Sequence, residues 1–134
     1  MPLVRIDLLQ GKPQEYVAAI GESVHRAMVE TIGVPARDHF QVITEHAPGY
    51  LIYDPHYLEV NRSDDVVFIQ IFFSAGRSRE EKQGFFKRVV EYLREKPGLR
   101  PEDVAINLVE NSREDWSFGN GDAQYVILPK EQWK

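Results

Sequence analysis

The sequence has no cysteine, so neither a disulfide framework nor a thiolate metal site can form. It also has no long apolar stretch, since none approaches the roughly 20 apolar residues that a bilayer-spanning helix needs. The amino-terminal residues lack the basic and apolar segments of a secretory signal. From these absences we expect a cytoplasmic protein that does not associate with membranes.

Charge of one sign is not concentrated in any part of the chain. The 134 residues include 16 Lys and Arg and 21 Asp and Glu, which give a net charge of −5. A nucleic-acid-binding surface requires clustered cations, and here the cations are scattered among the acids. We therefore expect no nucleic-acid partner. The length and the hydrophobic fraction of 43% are typical of one globular domain.

Residue types that bind metals show no pattern typical of a metal site. The pair Asp64-Asp65 is better explained by a solvated loop than by a hard-cation site. The histidines do not have the spacing of metal ligands. These histidines are His25, His39, His46 and His56. We predict that the protein uses no metal and no cofactor.

Hydrophobic periodicity divides the first half of the chain into a strand, a helix and a second strand. Leu3–Leu9 is rich in Val, Ile and Leu, which favours a strand. Gln14–Ile32 has apolar residues at spacings of three and four, which predicts a helix with one buried face. Gly33 and Pro35 end this helix. The alternation of apolar and polar residues in Phe40–Thr44 predicts the second strand.

The second half of the chain repeats this order of elements. Its predicted strand, helix and strand are Val66–Phe73, Ser78–Glu95 and Asp103–Val109. Between the halves, polar and aromatic residues with Pro and Gly predict a crossover loop that carries a short strand at Tyr50–Tyr53. The tail is predicted to be mostly loop, with a short strand at Gln124–Leu128.

A shift of 65 positions superimposes the two halves of the sequence. It aligns Gly11-Lys12 with Gly76-Arg77, and Asp38 with Asp103. Any two βαβ units share the order of elements, but the repeated pair of a glycine and a cation is more specific. A cation between a strand end and a helix N-terminus lies where backbone N–H groups also point. Together they can form an anion site.

The superimposed halves predict the fold class. Residues 2–45 and 66–110 form two pseudo-repeated βαβ units, joined by the crossover loop at 46–65 and followed by the tail at 111–134. The two strands of each unit are expected to be parallel, because a helix connects them. We therefore expect a single α/β (α+β) domain with a four-stranded mixed sheet and two helices on one face.

Several segments of the chain resemble the tautomerase superfamily. They are the start Pro2-Leu3-Val4, the turn of glycine and cation after the first strand, and the Gly-x-Pro turn after the helix. The string Asn-Ser-x-x-Asp-Trp-Ser-Phe-Gly at 111–119 is similar to the malonate semialdehyde decarboxylase branch. The resemblance covers nearly the whole chain. It implies a cofactor-independent homotrimer whose active site opens around an amino-terminal proline.

The resemblance also implies a role for individual residues. Pro2 corresponds to the catalytic proline, Asp38 to an acidic helper, Arg77 to a substrate-binding arginine, and Trp116 with Phe118 to the aromatic wall of the pocket. Ala75 stands where the decarboxylase branch has the first of two arginines, and Arg79 is a candidate substitute from the helix side. Each assignment has a structural alternative. These alternatives are Asp38 as a turn cap, Arg77 as an exposed cation, and Trp116 and Phe118 as packing residues.

The chemistry of Pro2 depends on removal of Met1, which would leave a secondary amine at the chain terminus. An α-amino group has an ordinary pKa of about 8, and burial or a nearby cation such as Arg77 would lower it. Pro2 would then be a general base at pH 7. Arg77 would hold the carboxylate of a small, phenylpyruvate-like 2-oxo acid. These roles predict a keto-enol tautomerase.

Two alternatives to the tautomerase stay open at this point. A malonate semialdehyde decarboxylase-like lyase, which would also hydrate related substrates, requires a cationic Pro2. Asp38 would favour this state, whereas the loss of an arginine at Ala75 disfavours decarboxylation. The other alternative is a non-catalytic oligomeric binding protein. A small oxo-acid substrate is the partner that either enzyme would require.

Overall fold

The computed structural model describes residues 2–134. The expected removal of Met1 therefore lies outside the described residues. The strands are β1 (Leu3–Leu9), β2 (Gln41–His46), β3 (Val67–Ser74) and β4 (Val104–Asn111). The helices are α1 (Gln14–Ile32), α2 (Arg79–Glu95) and the short α3 (Gln124–Ile127). Single 3₁₀ turns lie at Tyr57–Glu59, Pro101–Asp103, Arg113–Asp115 and Lys130–Gln132.

The four strands form one mixed sheet in the order β2-β1-β3-β4. Strand β1 is parallel to β2, and β3 is parallel to β4, because a long helix connects each pair. The two units meet where β1 and β3 pair antiparallel. The expected α+β class, with two βαβ units around a four-stranded mixed sheet, is confirmed.

The core lies between the sheet and the two long helices. Alternate residues of the central strands point toward the helices, as the twofold periodicity of a strand requires. These buried strand residues are Val4, Ile6, Leu8, Val67, Ile69, Ile71 and Phe73. They pack against Ile20, Val24, Met28, Phe85, Val89 and Leu93 of the helices. Burial of each large apolar side chain contributes about 1.5–3 kcal/mol before the entropy of folding is subtracted.

Local sequence signals determine where the long helices begin and end. Helix α1 ends at Gly33, whose φ of 70° is left-handed and whose N–H bonds to the carbonyl of Met28. Helix α2 begins at a capping box, in which the Ser78 hydroxyl accepts from the Glu81 N–H and the Glu81 side chain accepts from the Ser78 N–H. The predicted start of α2 at Ser78 is therefore its N-cap.

Two short predicted strands are wrong. In the crossover loop, the N–H of Tyr50 closes a turn on the carbonyl of Ala47, and Tyr50 and Ile52 are exposed. This segment is therefore not a strand. In the tail, Gln124–Ile127 forms α3. The Gln124 side chain accepts from the Phe118 N–H and donates to the Gly119 carbonyl, which favours a compact turn over an extended chain.

In the second unit, the aspartate that corresponds to Asp38 in the repeat is Asp103, and it has a structural role. Asp103 is fully buried, and its carboxylate accepts from the N–H and the hydroxyl of Ser63 at 2.6 and 2.8 Å. The Arg100 guanidinium lies 3.6 Å away. Asp103 therefore holds the end of the crossover loop against the start of β4. No helix among residues 2–134 is long and apolar enough to cross a membrane.

Candidate active site

The topology of the sheet brings three chain segments together around Pro2. Pro2 is buried and directly precedes β1. The N–H of Val4 donates to the carbonyl of Phe40 at 3.0 Å, next to the start of β2. Leu3 pairs with Phe72, so one further step of the antiparallel register takes Pro2 to the end of β3. The segment that precedes β2 and the end of β3 therefore lie next to the start of β1, which Pro2 precedes.

Asp38 lies in the turn between α1 and β2. Its N–H bonds to the carbonyl of Pro35 at 3.0 Å, and its side chain is half-buried. The hydroxyl of Tyr125, on α3, donates to Asp38 Oδ2 at 3.5 Å. Burial raises the pKa of Asp38, and the hydrogen bond from Tyr125 acts in the opposite direction. Asp38 thus makes a side-chain contact across the pocket, in addition to its backbone contact in the turn.

Arg77 lies in the turn between β3 and α2, and it is half-buried rather than exposed. Its guanidinium donates to the carbonyl of Ser74 at 2.9 Å and to the carbonyl of Ile32, the last residue of α1, at 3.1 Å. A cation at the C-terminus of α1 is favoured by the helix dipole. Burial lowers the pKa of Arg77, and Arg113 lowers it further. Arg77 therefore joins the two units with a desolvated positive charge.

Arg79 has a different environment from Arg77. It is the first residue of α2 and is exposed. Its side chain makes no hydrogen bond or ion pair with any residue in 2–134. The structure thus separates the two arginines that the sequence brings within two positions of each other.

Aromatic residues of the tail form a continuous cluster. Trp116 stacks on Phe118 with ring centroids 5.8 Å apart, and Phe118 meets the edge of Tyr125 at 5.1 Å. Tyr125 in turn contacts Trp133 at 4.7 Å. The indole N–H of Trp116 donates to Asn111 Oδ1 at 2.9 Å, which fixes the cluster to the end of β4. Stacked and edge-to-face rings of this kind make a rigid apolar surface.

A pocket of about 410 Å³ lies between this cluster and Asp38. Its lining includes Asp38, Phe118 and Tyr125, with the cations Arg37 and Lys134. The size suits a small molecule. The structure thus brings Asp38 and Phe118 to one pocket, whereas Arg77 and Trp116 do not line it.

Tyr125 is the site residue that the sequence interpretation missed. Burial is the main reason that the pKa of Tyr125 is raised to about 12, and the negative charge of Asp38 adds to this effect. The positive charges of Arg113 and Arg77 act in the opposite direction. The Tyr125 hydroxyl therefore remains protonated at neutral pH, near both an acid and two cations. The spacing of aromatic residues from Trp116 onward was the available signal, but the strand prediction obscured it.

The chain matches two family profiles, each described as tautomerase enzyme, over residues 38–119 and 2–61. It is 37% identical to the probable tautomerase YusQ of Bacillus subtilis (strain 168), over 94% of this chain and 99% of the relative. It is 34% identical to the probable tautomerase YrdN of the same organism, over 94% and 97%. The chain therefore belongs to the tautomerase superfamily of enzymes. This membership argues against the non-catalytic binding protein.

Solved structures define the branch of the superfamily. A malonate semialdehyde decarboxylase matches with a TM-score of 0.87 and 36% identity, over 92% of this chain and 95% of that chain. The FG41 malonate semialdehyde decarboxylase matches with a TM-score of 0.87 and 44% identity, over 92% and 94%. The protein lies in the malonate semialdehyde decarboxylase-like branch. A fused 4-OT trimer, at 21% identity and a TM-score of 0.75, has the same fold.

Proposed function

We propose that the protein catalyses the keto-enol tautomerisation of small 2-oxo acids, with Pro2 as the general base. The observation that carries this proposal is that buried Pro2 directly precedes β1, where the N–H of Val4 bonds to Phe40, and that Phe40 lines the same pocket as Asp38 and Tyr125. Membership of the tautomerase superfamily supports it. A base so positioned accelerates proton transfer by about 10²- to 10⁴-fold.

The proposed reaction transfers one proton from oxygen to carbon, so substrate and product are isomers. The neutral amine of Pro2 takes the proton from the enol hydroxyl of the substrate and delivers it to carbon 3, which gives the keto form. Arg77 holds the carboxylate through charge-assisted hydrogen bonds. Asp38 and the hydroxyl of Tyr125 orient the enol oxygen or a water molecule. Phe118 and Trp116 supply the apolar surface for a phenyl or vinyl group.

Decarboxylation of a 3-oxo acid is the second candidate function. The similarity to two malonate semialdehyde decarboxylases favours it. It requires a cationic Pro2 that polarises the substrate carbonyl, and an ionised Asp38 nearby would raise the pKa of the amine. The pKa of Asp38 is itself raised by burial, which weakens this effect at mildly acidic pH. Tautomerisation does not depend on the cationic amine.

Two assays on the mature protein distinguish these functions. Ketonisation of phenylenolpyruvate is followed by ultraviolet absorbance, and loss of malonate semialdehyde is followed by release of carbon dioxide. We expect the first reaction to be faster, with kcat/KM rising as pH increases through the pKa of the Pro2 amine. Efficient decarboxylation whose rate falls over the same pH range would instead support the lyase.

The assembly and location of the protein are part of the same proposal. We infer a cytoplasmic homotrimer, because the sheet face opposite the helices is open in a single chain. Phe68 and Phe72 of β3 lie on this face, and Val42 of edge strand β2 is 42% exposed there. Unpaired edges and apolar sheet faces need cover. The fused 4-OT proteins of similar fold are trimers.

Replacement of Tyr125 by phenylalanine is expected to shift the pH dependence of catalysis. The variant loses the hydrogen bond that lowers the pKa of Asp38, so that pKa rises further. If ionised Asp38 assists the reaction, the titration of Asp38 on the acidic side of the kcat/KM profile, below that of the Pro2 amine, moves to higher pH. The plateau falls as well, because the Tyr125 hydroxyl no longer orients the enol oxygen. The measurement is a pH profile for phenylenolpyruvate from about pH 4 to pH 9. An unchanged acidic limb would remove Asp38 from the mechanism.

A further inference from the structure

The tail of the chain after α3 contributes to the pocket that contains Asp38. The tail residues that line this pocket are Leu128, Gln132, Trp133 and Lys134. The proposed mechanism assigns no role to any of them. Trp133 is the largest, and it is half-buried although its two neighbours in the chain are exposed. A large aromatic side chain in a pocket wall provides contact area for a bound molecule.

Three contacts hold the indole of Trp133 in place. The rings of Tyr125 and Trp133 meet edge to face, with centroids 4.7 Å apart. The indole N–H donates to the carbonyl of Leu128 at 3.3 Å. The Arg113 guanidinium lies over the Trp133 ring, 5.0 Å from the centroid. These contacts come from α3, from the residue that follows α3 and from the turn after β4, so the ring has a defined orientation.

Arg113 belongs to a turn that is fixed at the end of β4. In this turn the Asp115 carboxylate accepts from the N–H and the hydroxyl of Ser112 at 2.8 and 3.0 Å. Arg113 lines a separate pocket, together with Ala75. The guanidinium therefore contacts the Trp133 ring from outside the pocket of Asp38. A cation over an aromatic face is a favourable contact, and here it leaves the ring available to line the pocket.

The pocket combines one hydrogen-bonded polar pair with several aromatic rings. The polar pair is Asp38 and the hydroxyl of Tyr125. The aromatic lining residues are Phe40, Phe118, Tyr125 and Trp133. The ring centroid of Phe118 lies 6.1 Å from that of Phe40 and 5.1 Å from that of Tyr125, and Tyr125 contacts Trp133. A substrate that places its enol oxygen at the polar pair would place an apolar substituent against these rings.

Trp133 extends this aromatic lining beyond Tyr125, so it contacts only the longer substrates. A pocket of about 410 Å³ has room for a phenyl group in addition to a three-carbon 2-oxo acid. A short aliphatic 2-oxo acid can reach the polar pair without contacting Trp133. The cations Arg37 and Lys134 are exposed and also line the pocket, and they attract both kinds of substrate because each carries one carboxylate.

We propose that Trp133 is a specificity-determining residue, which selects 2-oxo acids with an aromatic ring on carbon 3 over short aliphatic ones. The inference rests on the proposed function, because it takes Asp38 and Tyr125 as the groups that meet the enol oxygen. Trp133 contacts the substituent rather than the reacting atoms. Arg113 is a positioning residue, because it acts on the substrate only through the Trp133 ring. Both residues therefore affect the choice between substrates and not the proton transfer itself.

Ligand binding tests this role without turnover. Calorimetry compares 3-phenylpropanoate with propanoate, which differ by the phenyl ring and lack the 2-oxo group. We expect the wild-type protein to bind 3-phenylpropanoate about tenfold more tightly, and Trp133→Ala to lose most of that preference. Trp133→Phe keeps a ring and is expected to retain most of it, whereas Trp133→Leu keeps only apolar bulk and is expected to lose it. Tyr57→Ala removes an exposed aromatic side chain outside the pocket and serves as the control.

Turnover separates substrate selection from a merely structural role. The measured quantity is the ratio of kcat/KM for phenylenolpyruvate to that for the enol of 2-oxobutanoate. We expect this ratio to fall about tenfold in Trp133→Ala. It is expected to fall about threefold in Arg113→Gln and to stay close to the wild-type value in Arg113→Lys, which keeps the cation. An equal loss for both substrates in Trp133→Ala would give Trp133 a structural role only and would overturn the inference.

The two measurements together distinguish failure of the inference from failure of the proposed function. A preference for the aromatic ligand that depends on Trp133, in a protein without tautomerase activity, would retain Trp133 as a selecting residue and overturn the proposed function. Tautomerase activity with a ratio that Trp133→Ala leaves unchanged would overturn the inference alone. Absence of both would overturn both. If Trp133→Ala does not fold, Trp133→Leu provides the same comparison with the same expected direction.

Discussion

Replacement of Pro2 by alanine is expected to lower kcat/KM for phenylenolpyruvate by about 10²- to 10⁴-fold. The variant keeps a terminal amine after removal of Met1, but it loses the secondary amine and the ring that fixes the nitrogen against β2 and β3. A base that is slightly misplaced loses most of its advantage, because proton transfer requires hydrogen-bond geometry. The measurement is the ketonisation rate at several pH values.

The Pro2→Ala result needs two controls. Mass spectrometry must show that both mature proteins begin at residue 2, since a retained Met1 would leave position 2 without a free amine. Urea unfolding must show similar stability, because Pro2 is buried. A folded, correctly processed Pro2→Ala protein with the wild-type rate would exclude Pro2 as the base. In that case Asp38 becomes the next candidate, since burial raises its pKa.

Replacement of Arg77 by alanine is expected to reduce kcat/KM for 2-oxo acids by about 10²-fold, mainly through a higher KM. The estimate corresponds to the loss of charge-assisted hydrogen bonds to a carboxylate. The variant is also expected to be less stable by about 1–3 kcal/mol, because the carbonyls of Ser74 and Ile32 lose their donor. Steady-state kinetics and urea unfolding measure the two effects separately.

The neighbouring arginine offers the matched comparison for Arg77→Ala. Arg79 is two positions away, is exposed and makes no hydrogen bond or ion pair with the described residues. Its replacement by alanine is expected to raise KM much less than Arg77→Ala does. An equal or larger effect of Arg79→Ala would move the carboxylate-binding role from the turn after β3 to the first turn of α2.

Much of the fold could be predicted from the sequence because the long elements carry strong periodic patterns. Helix α1 was predicted with its observed bounds, since nineteen residues give several turns of periodicity and Gly33 supplies the stop. The ends of the strands moved by one or two residues, because strand pairing, rather than local sequence, decides where a strand stops. The mixed sheet followed from two units that each need a crossover helix.

The tail could not be predicted in the same way. Four residues give too little periodicity to separate a strand from a helical turn, and contacts of the Gln124 side chain decide the conformation. The contact between Tyr125 and Asp38 joins residues 87 positions apart, and no local sequence pattern predicts such a contact. The roles of Pro2, Asp38, Arg77, Trp116 and Phe118 came from resemblance, and they stay predictions until the variants are measured.

The buried Asp103 of the second unit has a consequence for how the two repeated units have evolved. At the positions that mirror Pro2 and Asp38, the chain has Val67 within a continuous strand and the buried carboxylate of Asp103, which is bound to Ser63. Under the proposed function, the chemistry lies at the end of the sheet that carries Pro2, whereas the end that carries Asp103 contributes to folding. Two copies of one ancestral unit would in this way have taken different roles, the first supplying the reactive amine and the second supplying Arg77 and a buried structural carboxylate. Substitutions around Asp103 should accordingly change the melting temperature without altering substrate preference.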